Sequence, residues 1–178
     1  MYTVDHGKSC VAFSVQHLKI SLVKGEFRGF SGSIMAGDNT SFESCTIEAL
    51  IYTDSVDTKL SERDRHLKKL LFDTKDFPLM KFNSTKIEPL SDKNKFKVTG
   101  DFLIKSTTKE IELDCELLGR FGARNLTLIL TGEIDRSDWF LDFDTGKKDT
   151  LILNNDIFYV GDKINLSILI SAVSNNDG

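Results

Sequence analysis

Residues 61–84, SERDRHLKKLLFDTKDFPLMKFNS, form the stretch in which apolar residues stop alternating with polar ones. Ser61 followed by Asp64 fits the pattern of a helix N-cap. Three leucines then recur at helical spacing, namely Leu67, Leu70 and Leu71. Pro78 marks the point beyond which a helix cannot continue. The stretch therefore predicts a short helical insert at residues 61–78 in a chain that is otherwise typical of strands.

Most of the remaining chain alternates between apolar and polar residues, as strands do when one face is wet and the other buried. The row from Ile164 to Ile170 is a clear example, with Asn165 and Ser167 between its apolar positions. Turn-forming clusters separate about eight such rows. A sheet of this size must protect its edges, and closure into a barrel does so. We expect an all-β fold, an up-and-down antiparallel barrel of about eight strands with the helical insert near one end.

Length and composition favour a single domain with a large apolar interior. The chain has 178 residues and fits one domain spanning 1–178. It contains thirteen phenylalanines against three tyrosines. Because phenylalanine has no polar group, this excess indicates either a thick core or a cavity lined with rings that need no hydrogen-bond partner.

The charge pattern excludes several partners. A net charge of −4 opposes binding to nucleic acid, whose partners usually present a basic face. The basic residues of the insert share it with Glu62 and Asp64, so a solvated helical face is expected there rather than a ligand site. No apolar run approaches the roughly 18 residues that a membrane span needs, so no membrane span is expected.

The cysteines and the start of the chain bear on location. Cys10, Cys45 and Cys115 are odd in number and lack a C-x-x-C pair, which favours reduced thiols over a disulfide framework. No export signal is recognised before the first strand-like residues. We expect a cytoplasmic protein; removal of a signal peptide would leave the same beginning, and the location would then be periplasmic.

The sequence offers no catalytic or metal constellation. Asp64 and His66 are two residues apart and would point to different sides of a helix, without a third ligand at the usual spacing. Nucleophile elbows and glycine-rich phosphate loops are also missing from the sequence. We therefore expect no catalytic residue, no metal and no cofactor.

A series of short pieces runs in order along the chain: Y-T-V-D at 2–5, F-S-V-Q-H-L at 13–18, V-K-G-E-F-R-G-F-S-G at 23–32, R-D-R-H-L at 63–67, L-F-D at 71–73, F-P at 77–78, K-F-N-S at 81–84, V-T-G-D-F-L-I at 98–104, I-D-R-S-D at 134–138 and V-G-D-K-I at 160–164. In order and spacing they resemble the YceI-like family over residues 2–173. The resemblance implies a lipocalin-like barrel that binds polyisoprenoids or other long amphiphiles.

Two departures from the family pattern concern turns. The hairpin at 104–109 lacks its usual glycine and is expected to bend differently. Trp139, Phe140 and Leu141 replace an aromatic-glycine-leucine step, and a bulkier rim there would narrow the mouth or change the length of the ligand.

The resemblance also implies an elongated apolar tunnel, and the inward faces of the predicted strands and insert supply its lining. We assign to it Phe13, Val15, His17, Phe27, Phe30, Ile34, Ile47, Ile51, Phe72, Phe82, Phe102, Leu113, Leu128 and Ile168. The alternative is that these side chains simply fill the barrel. His17 closes an apolar row, where it would offer a hydrogen bond to a ligand head group or be a core histidine bonded to a neighbouring strand.

Three functions follow. The first is non-enzymatic binding, transport or storage of a long amphiphilic lipid: a polyisoprenoid, an isoprenoid quinone, or a fatty acid or amide. The second is an enzyme of the cyclase or isomerase type that acts on such a ligand with His17 and a nearby carboxylate. The third is a filled barrel that serves as an interaction module, with Leu18, Ile20 and Leu22 as an outward row that would support a homodimer. The insert is expected to act as a lid-like plug.

Overall fold

In a computed structural model of the chain, the structure describes residues 1–17, 21–37, 41–141, 150–153 and 156–175; for His17, 150–153 and 156–159 it describes the backbone alone. The elements in this part are β1 (Tyr2–Val4), β2 (Cys10–His17), β3 (Ser21–Phe27), β4 (Phe30–Met35), β5 (Thr46–Tyr52), β6 (Val56–Asp57), α1 (Ser61–His66), β7 (Leu79–Pro89), β8 (Lys95–Ile104), β9 (Thr107–Leu118), β10 (Asn125–Asp135), β11 (Thr150–Leu153) and β12 (Asp156–Ser174).

Strand β12 closes the sheet into a barrel. One edge of β12 pairs with β10 from Lys163 to Val173, and the other edge pairs with β2 and then with β1. The remaining neighbours follow in the order β1, β4, β5, β7, β8, β9 and β10, with every pair antiparallel. The prediction of an eight-stranded antiparallel barrel with a short helical insert is confirmed.

Three of the barrel strands are divided into two segments: β1 and β2 both pair with β12, β3 continues as β4, and β5 continues as β6. The first division is a short 3-10 turn at His6–Lys8, where Asp5 Oδ1 accepts a hydrogen bond from Gly7 N at 3.1 Å. The third is a 3-10 turn at Thr53–Ser55, where the Ser55 hydroxyl donates to Tyr52 O at 2.6 Å. Such turns let a strand bend while both of its segments stay paired with neighbouring strands.

The helical insert is shorter than predicted. Helix α1 is followed by a π-helical turn at Leu67–Leu71, in which Phe72 N donates to Leu67 O at 2.9 Å. The chain then reverses through Asp73, whose φ is 48°, well before Pro78. The helix thus ends at its wide final turn, and the prediction that it extends to residue 78 is wrong. The predicted N-cap is also wrong, because Ser61 is the first helical residue and Leu60 precedes it.

Apolar packing fixes the insert against the barrel. Leu67 and Leu71 are buried, and the Phe72 ring lies edge-on to Phe27 with centroids 5.7 Å apart.

No helix in the described ranges is long and apolar enough to cross a bilayer.

The opposite end of the barrel is packed with aromatic rings. Phe42 lies between Phe96 and Phe121, at centroid distances of 4.8 and 5.9 Å, and Tyr2 lies 6.0 Å from Phe121. The Tyr2 hydroxyl donates to Ala123 O at 3.1 Å. Since Phe42 and Phe96 are buried and pack edge to face, this end is sealed by a solid core.

Candidate ligand-binding site

The barrel encloses a cavity of about 240 Å³ between the insert and the aromatic end. Every one of the eight barrel strands contributes an inward side chain to it, and the insert contributes Leu60, Leu67, Leu71 and Phe72. The lining is almost entirely apolar because strand alternation turns the hydrophobic face of each strand inward.

Thirteen of the residues predicted to line the tunnel do line this cavity. They are Phe13, Val15, Phe27, Phe30, Ile34, Ile47, Ile51, Phe72, Phe82, Phe102, Leu113, Leu128 and Ile168. The backbone of His17 pairs with Val160 and Ser21, whereas its side chain lies outside the described part of the structure. Contact of these residues with a ligand stays a prediction, as does the head-group role of His17.

The open space extends along β12. Ile164, Leu166, Ile168 and Ile170 face inward but are only partly buried, although they pack against the core. Leu128, on the neighbouring β10, is 1% exposed. Inward residues of a filled barrel would all be buried to a similar degree, so the partial exposure along β12 marks the hollow part of the interior.

Two small residues lie on the opposite wall. Gly32 on β4 and Ala49 on β5 are directly paired, and both line the cavity between larger neighbours on each strand. Phe82 pairs with Ala49 from the other side. Neither Gly32 nor Ala49 was among the residues predicted to line the tunnel, because that prediction favoured large apolar side chains.

One charged group of the insert also lines the cavity. Arg63 Nε donates to Thr58 Oγ1 at 2.7 Å, and Arg63 Nη2 donates to Thr58 O at 2.8 Å. Thr58 is 4% exposed, and its backbone N and its hydroxyl both donate to Asp64 Oδ1, at 2.8 and 2.5 Å. The expectation that the basic residues of the insert form only a solvated face is therefore wrong for Arg63, which is half-buried.

A second guanidinium, that of Arg136, is buried in the wall. Arg136 Nη1 donates to Leu141 O at 2.8 Å, Nε donates to Gly161 O at 3.3 Å, and Nη2 lies 3.0 Å from Asp162 Oδ1. These contacts tie the end of β10 to β12. Burial of a charge is tolerated when its donors are satisfied and a counter-ion is near, so Arg136 has a structural explanation.

Trp139, Phe140 and Leu141 were predicted to narrow the mouth of the barrel. Phe140 does not do so. Its side chain is 73% exposed and is not part of the lining, because its left-handed backbone, with φ of 53°, turns it outward. Trp139 is buried and donates through Nε1 to Phe102 O at 3.1 Å, while Leu141 lines the cavity.

The three cysteines are free thiols in the structure. Burial raises the pKa of Cys45 to about 11 and that of Cys115 to about 12. The pKa of Cys10 is raised as well, by burial first and then by the Glu26 carboxylate, whose Oε2 lies 3.9 Å from its Sγ. These thiols are poor nucleophiles at neutral pH.

Within the described ranges, no group of three or more His, Cys, Asp or Glu side chains is arranged to hold a metal ion.

Comparison with known proteins agrees with this geometry. A family model described as the YceI-like domain matches residues 2–172. The UPF0312 protein plu2095 of Photorhabdus laumondii is 32% identical over 143 residues, which cover 78% of this chain and 73% of that protein. A solved structure of a Campylobacter jejuni YCEI protein is 32% identical, covers 90% of each chain and superposes with a TM-score of 0.71.

A more distant structure shares the fold. It is a polyisoprenoid binding domain from Saccharophagus degradans, 15% identical, with a TM-score of 0.77 over 97% of this chain and 98% of that one. The family model spans nearly all of the barrel, and the two relatives at 32% identity cover most of the chain. The chain belongs to the YceI-like family.

Proposed function

We propose that the protein binds one long-chain amphiphile in the barrel cavity and carries or stores it without changing it chemically. The observation that carries the proposal is the continuous apolar lining, to which every barrel strand contributes. Covering an alkyl or isoprenoid chain there removes apolar surface from water, which is worth about 25 cal/mol per Å². Ordering the chain and losing its free motion offset part of this gain.

The size of the cavity favours a slim ligand. Its volume of about 240 Å³ lies slightly below the roughly 300–1,000 Å³ of pockets for drug-sized molecules. A single unbranched or isoprenoid chain fits such a space better than a fused ring system or a lipid with two chains. The ligand classes are accordingly a polyisoprenoid, an isoprenoid quinone, or a fatty acid or its amide, and the Saccharophagus degradans domain with the same fold is a polyisoprenoid binder.

The lining gives catalysis little support. Of the described side chains that line the cavity, those that ionise are Glu48, Arg63 and Arg136. Glu48 is exposed and Arg136 is bonded into the wall. General acid-base chemistry needs a proton donor and acceptor within reach of the reacting atoms, and this set supplies no such pair. Binding without turnover is therefore favoured over a cyclase or isomerase.

The test is extraction of the purified protein with organic solvent, followed by mass spectrometry. We expect about one long-chain amphiphile per chain, with the same mass before and after prolonged incubation with the protein. A blank extract, together with failure of the protein to take up an added long-chain alcohol, would overturn the proposal. A ligand that changes mass during incubation would favour the enzyme.

A cytoplasmic location and a homodimer stay proposals. Fractionation of the source cells tests the first, and sedimentation of the purified protein with and without ligand tests the second.

A further inference from the structure

Arg63 places a positive charge at one end of an apolar cavity. It lies in the first turns of the insert, half-buried, and lines the same space as Leu60, Leu67 and Phe72. The opposite end of the barrel is closed by the rings of Phe42 and its neighbours. A ligand chain that fills the apolar part therefore has its polar end directed toward the insert.

The guanidinium of Arg63 is held in a fixed orientation. Thr58 accepts bonds from Nε and Nη2, which form one edge of the planar group. The Thr58 hydroxyl donates its hydrogen bond to Asp64 Oδ1, so the same oxygen accepts the bond from Arg63 Nε through a lone pair. Because Thr58 is buried and bonded at three of its polar atoms, it fixes Arg63 as a rigid part of the wall.

The second edge of the guanidinium, formed by Nη1 and the remaining N–H of Nη2, has no acidic partner among the described residues. Three other basic groups of this region do have acidic partners. Lys59 lies 2.9 Å from Glu26, Arg65 lies 3.8 Å from Glu62, and Arg28 pairs with Asp57. Two parallel N–H donors match the two oxygens of a carboxylate or of a phosphate.

We propose that Arg63 binds the acidic head group of the amphiphile, a carboxylate or phosphate, while its chain lies in the cavity. This rests on the proposed function. An ion pair at a half-buried site is screened less than one on the open surface, so the head group contributes to affinity and sets selectivity. Arg63 would then discriminate acids from alcohols or amides that carry the same chain.

The test uses the full chain after removal of any bound lipid, and three probes with the same saturated tail: hexadecanoic acid, hexadecyl phosphate and hexadecanol. Affinities are measured by calorimetric titration at neutral pH. We expect wild-type protein to bind both acids more tightly than the alcohol. Arg63→Gln should weaken binding of the acids by about 10-fold and leave the alcohol within about 2-fold. The ratio of the affinities for hexadecanoic acid and hexadecyl phosphate shows whether a carboxylate or a phosphate is preferred.

Arg65→Gln is the matched control, because it removes one positive charge from the same helix at an exposed position. It should leave all three affinities unchanged. Arg63→Lys keeps the charge but replaces the two-donor edge by a single ammonium group, and should weaken binding of the acids several-fold. This variant also decides the matter if Arg63→Gln does not fold.

The outcomes separate this inference from the proposed function. Equal wild-type affinity for acids and alcohol, or an equal loss for all probes in Arg63→Gln, or unchanged binding of acids in Arg63→Lys, would overturn the head-group role and leave the carrier intact. Failure of wild-type protein to bind any of the three probes would instead count against the carrier itself.

Discussion

The Phe13 ring lies across Gly25, its cross-strand neighbour on β3, so closely that a Cβ at Gly25 would come within 2.4 Å of Phe13 Cζ. The missing side chain lets the ring lie flat against the wall. The Phe13 ring also tilts against Phe27, with centroids 5.4 Å apart. Gly25 therefore sets how far the Phe13 ring intrudes into the cavity.

Gly25→Ala should push the Phe13 ring inward, destabilise the protein by about 1–3 kcal/mol and reduce the amount of bound amphiphile. Urea unfolding and mass spectrometry of extracts measure the two effects. Gly7→Ala is the control, since a Cβ there meets Asp5 Oδ1 at an ordinary 3.5 Å. Wild-type stability and loading in Gly25→Ala would contradict the assigned role of the ring.

Ala49→Leu should block the cavity with little loss of stability. The added side chain would extend into the cavity that Ala49 lines. Filling a cavity offsets the strain of a larger side chain, so the change in unfolding free energy should stay below about 1.5 kcal/mol, while bound ligand falls several-fold. Leu50→Met, at the next position on the outer face, should leave loading unchanged. Full loading of Ala49→Leu would mean that the ligand lies elsewhere.

Phe140→Gly should stabilise the protein. The residue has φ of 53° and is 73% exposed, so the ring contributes little packing while the backbone is strained. Phe140→Ala removes the same ring but retains the strain. We expect the glycine variant to exceed the alanine variant by about 1 kcal/mol in thermal or urea unfolding. Equal stabilities would show that the left-handed backbone is not strained in this loop.

The buried thiols should make stability depend on alkaline pH. The folded pKa values of Cys45 and Cys115 are raised from the ordinary 9.0 to about 11 and about 12. Above pH 9 the unfolded chain loses these protons while the folded chain keeps them, so stability is full below pH 9 and falls as pH rises toward 11 and 12. Urea unfolding at pH values from about 8 to about 11 measures this loss, and a stability that stays constant over this range would contradict it.

Reactivity gives a second reading of the same thiols. At pH about 8 a thiol reagent should modify Cys10 slowly and leave Cys45 and Cys115 unmodified until the protein unfolds, because the thiolate is the reactive form. In the Cys115→Ala variant, the number of thiols that become reactive only on unfolding should fall by one, and the reactivity of the folded protein should be unchanged. Rapid modification of Cys45 or Cys115 in folded protein would contradict their burial.

The barrel was predictable because period-two alternation is a local property of each strand. In β9, Ile111, Leu113, Cys115 and Leu117 are buried and the residues between them are exposed, as the sequence pattern indicates. The count of about eight strands was correct although the described chain contains twelve strand segments, since three barrel strands are each divided into two segments and β11 pairs with β12 outside the closed barrel. Such divisions carry weak sequence signals and depend on where the wall must bend.

The position of Arg63 in the cavity wall was not predictable from composition. Arg63 and Arg65 belong to the same short helix, yet only Arg63 lines the cavity. Packing of Leu67 and Leu71 sets how the insert is rotated, and the loop that places Thr58 beneath Arg63 is fixed by tertiary contacts. The hairpin after β8 shows a similar limit: Lys105 takes a φ of 54° in the two-residue turn, a conformation determined by the pairing of Ile104 with Thr107.

The pairing of β1 with β12 joins Tyr2 to Ser174 and Thr3 to Val173. These partners lie at nearly opposite ends of the chain, so ribosomal synthesis delivers one of them long before the other. Until β12 emerges, β2 and β10 both lack the strand that lies between them in the barrel. Non-local pairing of this kind slows folding and leaves strand edges open to wrong partners. The nascent chain thus passes through a period in which its apolar face is unprotected, and a lipid or chaperone present at that stage would encounter an open sheet.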